Sequence, residues 1–279
     1  MALRVGEINY SNCIPIFYTL KKRHHCADYT FIQGIPSELN QLISDCRIDI
    51  SPSSSIEYAI NPEKYLILPE LSISSIKRVE SILLFSQFRI EELNNKKIGL
   101  TKASATSTVL LKILLKRLYG YSNTFIDTEE RLEEGLKKYP AYLLIGDEAL
   151  NENINKNGLF VYDLGELWYN LTGKPFVYAL WLVRKESVSS QKGLIIQFYK
   201  DLLSSRNEAY KNLVNIANDV NLYNNIGSER LIRYWQTISY DLTKKHIEGL
   251  LEFYNYSKVE NIIKKVPELN FFTALEKNL

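Results

Sequence analysis

Apolar positions along the first 180 residues recur with two periods that take turns, one suited to strands and one to helices. Leu3-Arg4-Val5-Gly6-Glu7-Ile8 alternates as a strand does. Residues 14–22 follow with helical spacing, and Pro15 stands in the first turn, where its missing N–H costs nothing. A second strand over 29–33, a helix over 35–43 ending near Asp45, and a short strand over 48–50 complete a βαβαβ rhythm. That rhythm predicts a parallel sheet, with any ligand at the carboxyl ends of its strands. Strands are also predicted over 65–68 and 79–85, then a helical turn over 90–93 and a loop over 94–97.

The rhythm then restarts, with a strand over 97–100, a polar turn over 101–105 and a helix over 106–118. Apolar strands follow at 141–145, 159–163 and 176–183. One alternating set nested in another predicts an α/β protein of two lobes. Residues 86–175 form the inserted lobe, and residues 1–85 with 176–279 form the first. Two chain crossings between lobes make a hinge. From Ser187 the pattern is helical and packs on the first lobe. Leu194, Ile195, Phe198, Leu202 and Leu203 share one face, and Leu231, Tyr234, Trp235 and Ile238 share another.

Composition narrows the class. With 46% hydrophobic and 24% charged residues, 279 residues bury a sizeable core without disulfides or metal. A net charge of +2 and the lack of a long basic block argue against nucleic acid as a partner. The longest apolar runs, such as residues 176–183, fall far short of the roughly 20 residues a membrane-spanning helix needs. Glu7 interrupts the opening segment, which has no apolar signal core. Cys13, Cys26 and Cys46 are odd in number and read as reduced thiols, so a cytoplasmic location is expected. His24-His25-Cys26 reads as a loop, because adjacent side chains rarely converge on one ion. The only other histidine, His246, lies in the helical tail. The oligomeric state is open, a homodimer included.

Four polar loops follow predicted strands. Asn12, before a helix start, is an N-cap, a ligand contact, or both. Ser53 and Ser54 lie in Ser51-Pro52-Ser53-Ser54-Ser55, where hydroxyls and free N–H groups favour an anion or cap a helix. Ser104, Thr106 and Ser107 crowd the first turn of an apolar helix, and their hydroxyls with its free N–H groups can surround a carboxylate. The glycines of a phosphate-binding P-loop are missing there. Asp147 follows an apolar strand and is either a cap or a functional carboxylate. Neither a catalytic triad, a G-x-S-x-G elbow nor a dinucleotide fingerprint is visible.

In this order the loops resemble one family, the chorismate dehydratases of the futalosine route to menaquinone. The resemblance runs from Arg4 to about Arg184. It rests on Tyr10-Ser11-Asn12-Cys13-Ile14-Pro15, Pro36-Ser37-Glu38-Leu39-Asn40 and Ser53-Ser54-Ser55-Ile56-Glu57-Tyr58-Ala59. It continues through Leu68-Pro69-Glu70-Leu71-Ser72-Ile73-Ser74-Ser75, Val79-Glu80-Ser81-Ile82 and Ser104-Ala105-Thr106-Ser107. Ile145-Gly146-Asp147-Glu148-Ala149-Leu150, Asp163-Leu164-Gly165-Glu166-Leu167-Trp168 and Thr172-Gly173-Lys174-Pro175-Phe176-Val177-Tyr178-Ala179-Leu180-Trp181 complete it. The helical tail carries little of it. One departure is Ile76-Lys77-Arg78, where the family often has glycine before its Val-x-Ser segment, which puts the placement of Ser81 in question.

The resemblance implies a two-lobed fold like that of the type II periplasmic solute-binding proteins, with chorismate as substrate and 3-(1-carboxyvinyloxy)benzoate as product. It implies a reaction that needs no redox cofactor or metal. Ser104, Thr106 and Ser107 would hold one carboxylate, with Ser53 and Ser54 facing it from the other lobe. The family pattern places Asn12 and Ser81 beside the reacting ring, Asn12 as a donor to the leaving hydroxyl. The base is either the substrate's own enolpyruvyl carboxylate or Asp147, and the scarcity of well-placed histidines favours the former. Two rivals share the fold. A solute-binding protein normally carries an export segment, which the opening lacks. The later dihydroxynaphthoate-forming enzyme of the same route resembles this fold but opens with a Ser-Pro-Cys-Pro-Asn-Asp type segment and uses a cleft histidine, unlike Ser11-Asn12-Cys13-Ile14-Pro15 and Gly146-Asp147-Glu148 here.

Overall fold

The computed structural model describes residues 2–154, 158–220 and 226–273. Its strands, in chain order, are β1 (Leu3–Ile8), β2 (Tyr29–Gly34), β3 (Ile50–Ser54), β4 (Tyr65–Ser75), β5 (Ile82–Ser86), β6 (Lys97–Thr101), β7 (Thr124–Thr128), β8 (Ala141–Ile145), β9 (Phe160–Asp163), β10 (Phe176–Arg184) and β11 (Ile238–Leu242). They form two sheets, one of order β11-β4-β10-β3-β1-β2 and one of order β7-β6-β8-β5-β9.

In the first sheet β1 runs parallel to β2 and β3, with Val5 opposite Phe31 on one side and Ile50 on the other. β10 returns antiparallel between β3 and β4, placing Leu180 opposite both Ser53 and Ser72. Every residue of β10 is buried, which explains its unbroken apolar run. In the second sheet β6 is parallel to β7 and β8, while β5 is antiparallel to β8 and β9. Among the described residues no helix is long and apolar enough to cross a membrane.

The chain passes from the first sheet to the second through residues 76–81 and returns through 173–175. β5 therefore pairs in the second sheet, ahead of the expected boundary at residue 86. The strand expected from Val79 starts only at Ile82, because the N–H groups of Val79 and Glu80 are taken by the Asp163 carboxylate rather than by a ladder. A cluster of rings closes the second crossing: Phe176 lies 5.1 Å from Trp168 and 5.0 Å from Phe253, centre to centre. The Trp168 indole N–H also donates to the carbonyl of Pro175, inside the crossing itself.

Three further expectations change. The serines read as a loop after residue 50 continue β3, because β10 pairs along them from Ser51 to Ser54, and the helix begins at Ser55. The strand expected over 65–68 extends to Ser75, since both β10 and β11 pair with it. Ile238 does not share a helix with Leu231, Tyr234 and Trp235. That helix, Ser228–Trp235, ends where Thr237 N–H bonds the Tyr234 carbonyl, and Ile238 opens edge strand β11 opposite Ser75. His24-His25-Cys26 lies between a helix and β2, with His24 Nδ1 3.2 Å from Asp201.

β1 and β3 are also joined through charge. Buried Asp49 accepts from Arg4 through its backbone N–H at 3.0 Å, Nε at 2.9 Å and Nη2 at 2.6 Å, and from the Ser187 hydroxyl at 2.8 Å. Burial alone would raise this carboxyl, but the Arg4 and Ser187 bonds hold it down at about 2. The unfolded carboxyl titrates at about 3.9. The stabilisation is thus complete above about pH 4 and is lost as pH falls through 2. Arg4→Ala is expected to cost about 2 kcal/mol at pH 7. In urea unfolding its deficit against the wild type should shrink as pH falls from 4 toward 2; a deficit unchanged by pH would rule out this pair as the source.

Candidate active site

The carboxyl ends of β1, β3 and β8 and the turn after β6 face one another across a crevice between the sheets. Its space is about 520 Å³ with the open mouth included. Ile8, Tyr10, Asn12 and Ser54 line it from the first sheet, and Ser81, Gly146, Ser104 and Ser107 from the other side. Five of the eight residues singled out in the sequence, Asn12, Ser54, Ser81, Ser104 and Ser107, meet here.

Asn12 sits in a single 3-10 turn, Ser11–Cys13, ahead of the helix Ile14–Arg23. It does not cap that helix. The capping position falls on Cys13, which makes no side-chain cap bond, and Pro15 occupies the first turn. Asn12 lines the crevice, and its buried Oδ1 has no hydrogen-bond partner among the described residues. Asp147, at the start of the helix Gly146–Glu152, supports this turn by accepting from Ser11 N–H at 2.9 Å. It is not among the lining residues. Burial raises its carboxyl above the ordinary range, and the Ser11 bonds oppose that shift.

The helix Ala105–Tyr119 opens at the crevice with Ser104 as its N-cap. Ser104 Oγ accepts from Ser107 N–H at 3.3 Å and Ser107 O–H at 3.0 Å. Both hydroxyls lie beside the positive end of a helix whose first N–H groups lack intrahelical acceptors. Thr106 points elsewhere: its hydroxyl accepts from Ile56 N–H at 3.2 Å and lies 3.4 Å from the Ser55 hydroxyl. Positions 104 and 107 share a helix face and 106 does not. The same geometry separates Ser54, which lines the crevice, from Ser53, because successive strand residues face opposite sides. Ser53 Oγ is buried away from the crevice lining, without a partner among the described residues.

Ser81 is delivered by the first crossing. Buried Asp163 caps the helix Leu164–Thr172 through Gly165 and Glu166 N–H at 2.9 and 3.1 Å. It also binds Val79 N–H at 3.1 Å and Glu80 N–H at 2.7 Å. Glu80 takes a left-handed φ of 61°, while none of residues 76–78 does, so the Ile76-Lys77-Arg78 departure demands no glycine. The glycine requirement lies opposite, at Gly165, where an added Cβ would come within 2.5 Å of the Lys77 carbonyl oxygen. Gly146 is constrained twice, by φ of 65° and by the Tyr10 ring, 2.9 Å from an added Cβ.

Among the described residues, the lining includes no Asp, Glu, His, Lys or Arg. Their titratable groups are the phenols of Tyr10 and Tyr178, both pushed up by burial, so both stay protonated and neutral. Cys13 beneath the turn is likewise held as a thiol by burial. His246 is buried in the helix Lys244–Val259, where its Nδ1 lies 2.8 Å from the Thr243 hydroxyl; burial lowers its pKa. The crevice can therefore hold negative charge through N–H and hydroxyl dipoles, donate hydrogen bonds and exclude water. Among the described residues, its lining carries no carboxylate or imidazole that could serve as a general base. Sequence reasoning missed Tyr10, Tyr178 and Tyr234. The first two sat inside quoted motifs, and Tyr234, bonded to Ser81 Oγ at 2.8 Å, lay in a tail whose pattern announced only packing.

Residues 3–258 match the family described as menaquinone biosynthesis. A chorismate dehydratase of Thermus thermophilus is 31% identical over 201 residues, 66% of this chain and 70% of that one. One of Campylobacter jejuni is 30% identical over 191 residues, 67% of this chain and 70% of that one. Among solved structures, a Candida albicans protein described as having the generic periplasmic binding protein fold superposes with a TM-score of 0.73 at 11% identity, covering 100% of this chain and 99% of that one. The fold is thus the periplasmic-binding-protein type that the family resemblance implied, in agreement with the nested pattern.

Thr106→Val is expected to lower stability in urea unfolding by about 1 kcal/mol, the value of one buried hydrogen bond between the halves. Unchanged stability would remove Thr106 from that junction.

Proposed function

Because the chain belongs to the menaquinone biosynthesis family, we propose that it is a chorismate dehydratase, a carbon–oxygen lyase that converts chorismate to 3-(1-carboxyvinyloxy)benzoate and water. The observation that carries this reading is the crevice itself, in which Asn12 from one side faces Ser81, Ser104 and Ser107 from the other, with no carboxylate or imidazole among the described lining residues. Chorismate is a dianion, and its dehydration makes the ring aromatic, so the driving force lies in the substrate. The protein needs to orient the ring, stabilise the leaving hydroxyl and keep a base within reach.

Ser104 and Ser107, at the N-terminus of the helix Ala105–Tyr119, hold one carboxylate, with Ser54 opposite them. The Asn12 amide donates to the departing hydroxyl, and Ser81 shares that task. The enolpyruvyl carboxylate removes the proton from the ring carbon that bears the ether. The C–O bond to the neighbouring carbon breaks, the ring π-system gains the C–H electron pair, and the proton leaves with hydroxide as water. The carboxylate is thereby regenerated. Asp147 is occupied with Ser11 and supports the turn that carries Asn12.

Incubation of the purified protein with chorismate, followed by chromatography, tests the reading: chorismate is expected to disappear with stoichiometric formation of the aromatic ether. Binding without conversion would leave a solute-binding protein instead. Asn12→Ala is expected to lower kcat by about 100-fold, by analogy with loss of an oxyanion-type donor; a near-normal rate would exclude Asn12 from the chemistry. Asp147→Asn keeps an oxygen acceptor for Ser11 and is expected to retain most of its turnover. A loss of several orders of magnitude in a normally folded, normally binding variant would make Asp147 the base.

A further inference from the structure

The residues proposed to act on the ring are held in place by one segment of the C-terminal tail, which the sequence motifs did not reach. Tyr234, at 1% exposure, donates its phenolic O–H to Ser81 Oγ at 2.8 Å. Its neighbour Trp235, equally buried, donates its indole N–H to the Ser11 carbonyl at 2.7 Å. Tyr240 donates to the Asn12 carbonyl at 2.7 Å, and Ile238 between them lines the crevice. Three ring donors on residues 234–240 thus reach both sides of the crevice, Asn12's turn on one and Ser81 on the other.

We infer that Tyr234 is a positioning residue for the dehydration: by occupying one acceptor site of the Ser81 hydroxyl, it leaves the Ser81 proton to be donated into the crevice, toward the departing oxygen. The inference rests on the function proposed above. A serine hydroxyl carries one proton and two acceptor lone pairs, and unrestrained it rotates to suit any neighbour. A phenol is the more acidic partner and the better donor, so the pair settles with Tyr234 donating. The buried site also keeps the phenol protonated. The Ser81 backbone is fixed as well, since its carbonyl accepts from Gly146 N–H at 2.7 Å. With main chain and rotor both restrained, Ser81 presents its donor ready-aimed, and no reorganisation is required when charge develops on the leaving oxygen. Packing alone gives no reason for the hydroxyl, because phenylalanine would fill the same space.

Tyr234→Phe removes that one oxygen. It is expected to lower kcat about tenfold, the scale of a small misplacement of a donor, with KM within about threefold of wild type. On a Ser81→Ala background the same change is expected to cost no more than about twofold, because the group through which Tyr234 acts is already gone. A purely structural role would move both backgrounds alike. Melting of the ligand-free wild type, the two single variants and the double variant reads the same pair without turnover, and the shifts are expected to be non-additive. Full turnover in Tyr234→Phe, equal losses on both backgrounds, or additive melting shifts would overturn the inference. A wild type that leaves chorismate unchanged would instead overturn the proposed function, with the melting cycle still deciding whether Tyr234 and Ser81 are coupled.

Discussion

One buried carboxylate fixes the path of the outgoing crossing between the halves of this protein. Asp163 collects N–H donors from two stretches far apart in sequence, Val79 and Glu80 on the outgoing crossing and Gly165 and Glu166 at the start of a helix. Unsatisfied, those donors would be costly in a dry setting. Shared on one anion, they tie the crossing to the second sheet and bring Ser81 to the crevice wall. Desolvation pushes the carboxyl up while the N–H bonds favour its charged form. The left-handed backbone at Glu80 is tolerated because the bonds on either side leave it no alternative.

The crevice handles charge by a related rule. Dipoles, not cations, face it: hydroxyls, an amide and a helix N-terminus. In the proposed reaction this choice has a chemical consequence. An arginine or lysine paired with the substrate's enolpyruvyl carboxylate would lower its basicity, whereas N–H and O–H donors hold it while leaving it better able to take a proton. The cleft can then run on a base that arrives with the ligand. The carboxylates nearby, Asp147 and Asp163, accept from backbone N–H groups.

Much of this was legible in the chain. The nested strand and helix rhythms implied two sheets and two crossings, and the motifs from Asn12 to Ser107 named most of the crevice. Errors arose where local periodicity gave way to pairing between distant segments. Ser51 to Ser54 read as a polar loop because nothing local reveals that β10 will cover them. Ile238 fitted the face of a helix until β4 claimed it as a strand. Thr106 and Ser53 were grouped with their neighbours by composition, although helix and strand geometry turn them away from the residues beside them.

By itself, then, the sequence determined most of the element types, the two crossings and the clustering of hydroxyls after strands, because these follow from spacing and side-chain chemistry along a single segment. It was left to the tertiary structure to decide which hydroxyls face the crevice, that Asp147 supports a turn, and that Tyr234, Trp235 and Tyr240 hold both walls. These are matters of which buried donor finds which acceptor. The partners stand 136 to 228 positions apart in the chain, and only the packed core brings them within bonding distance.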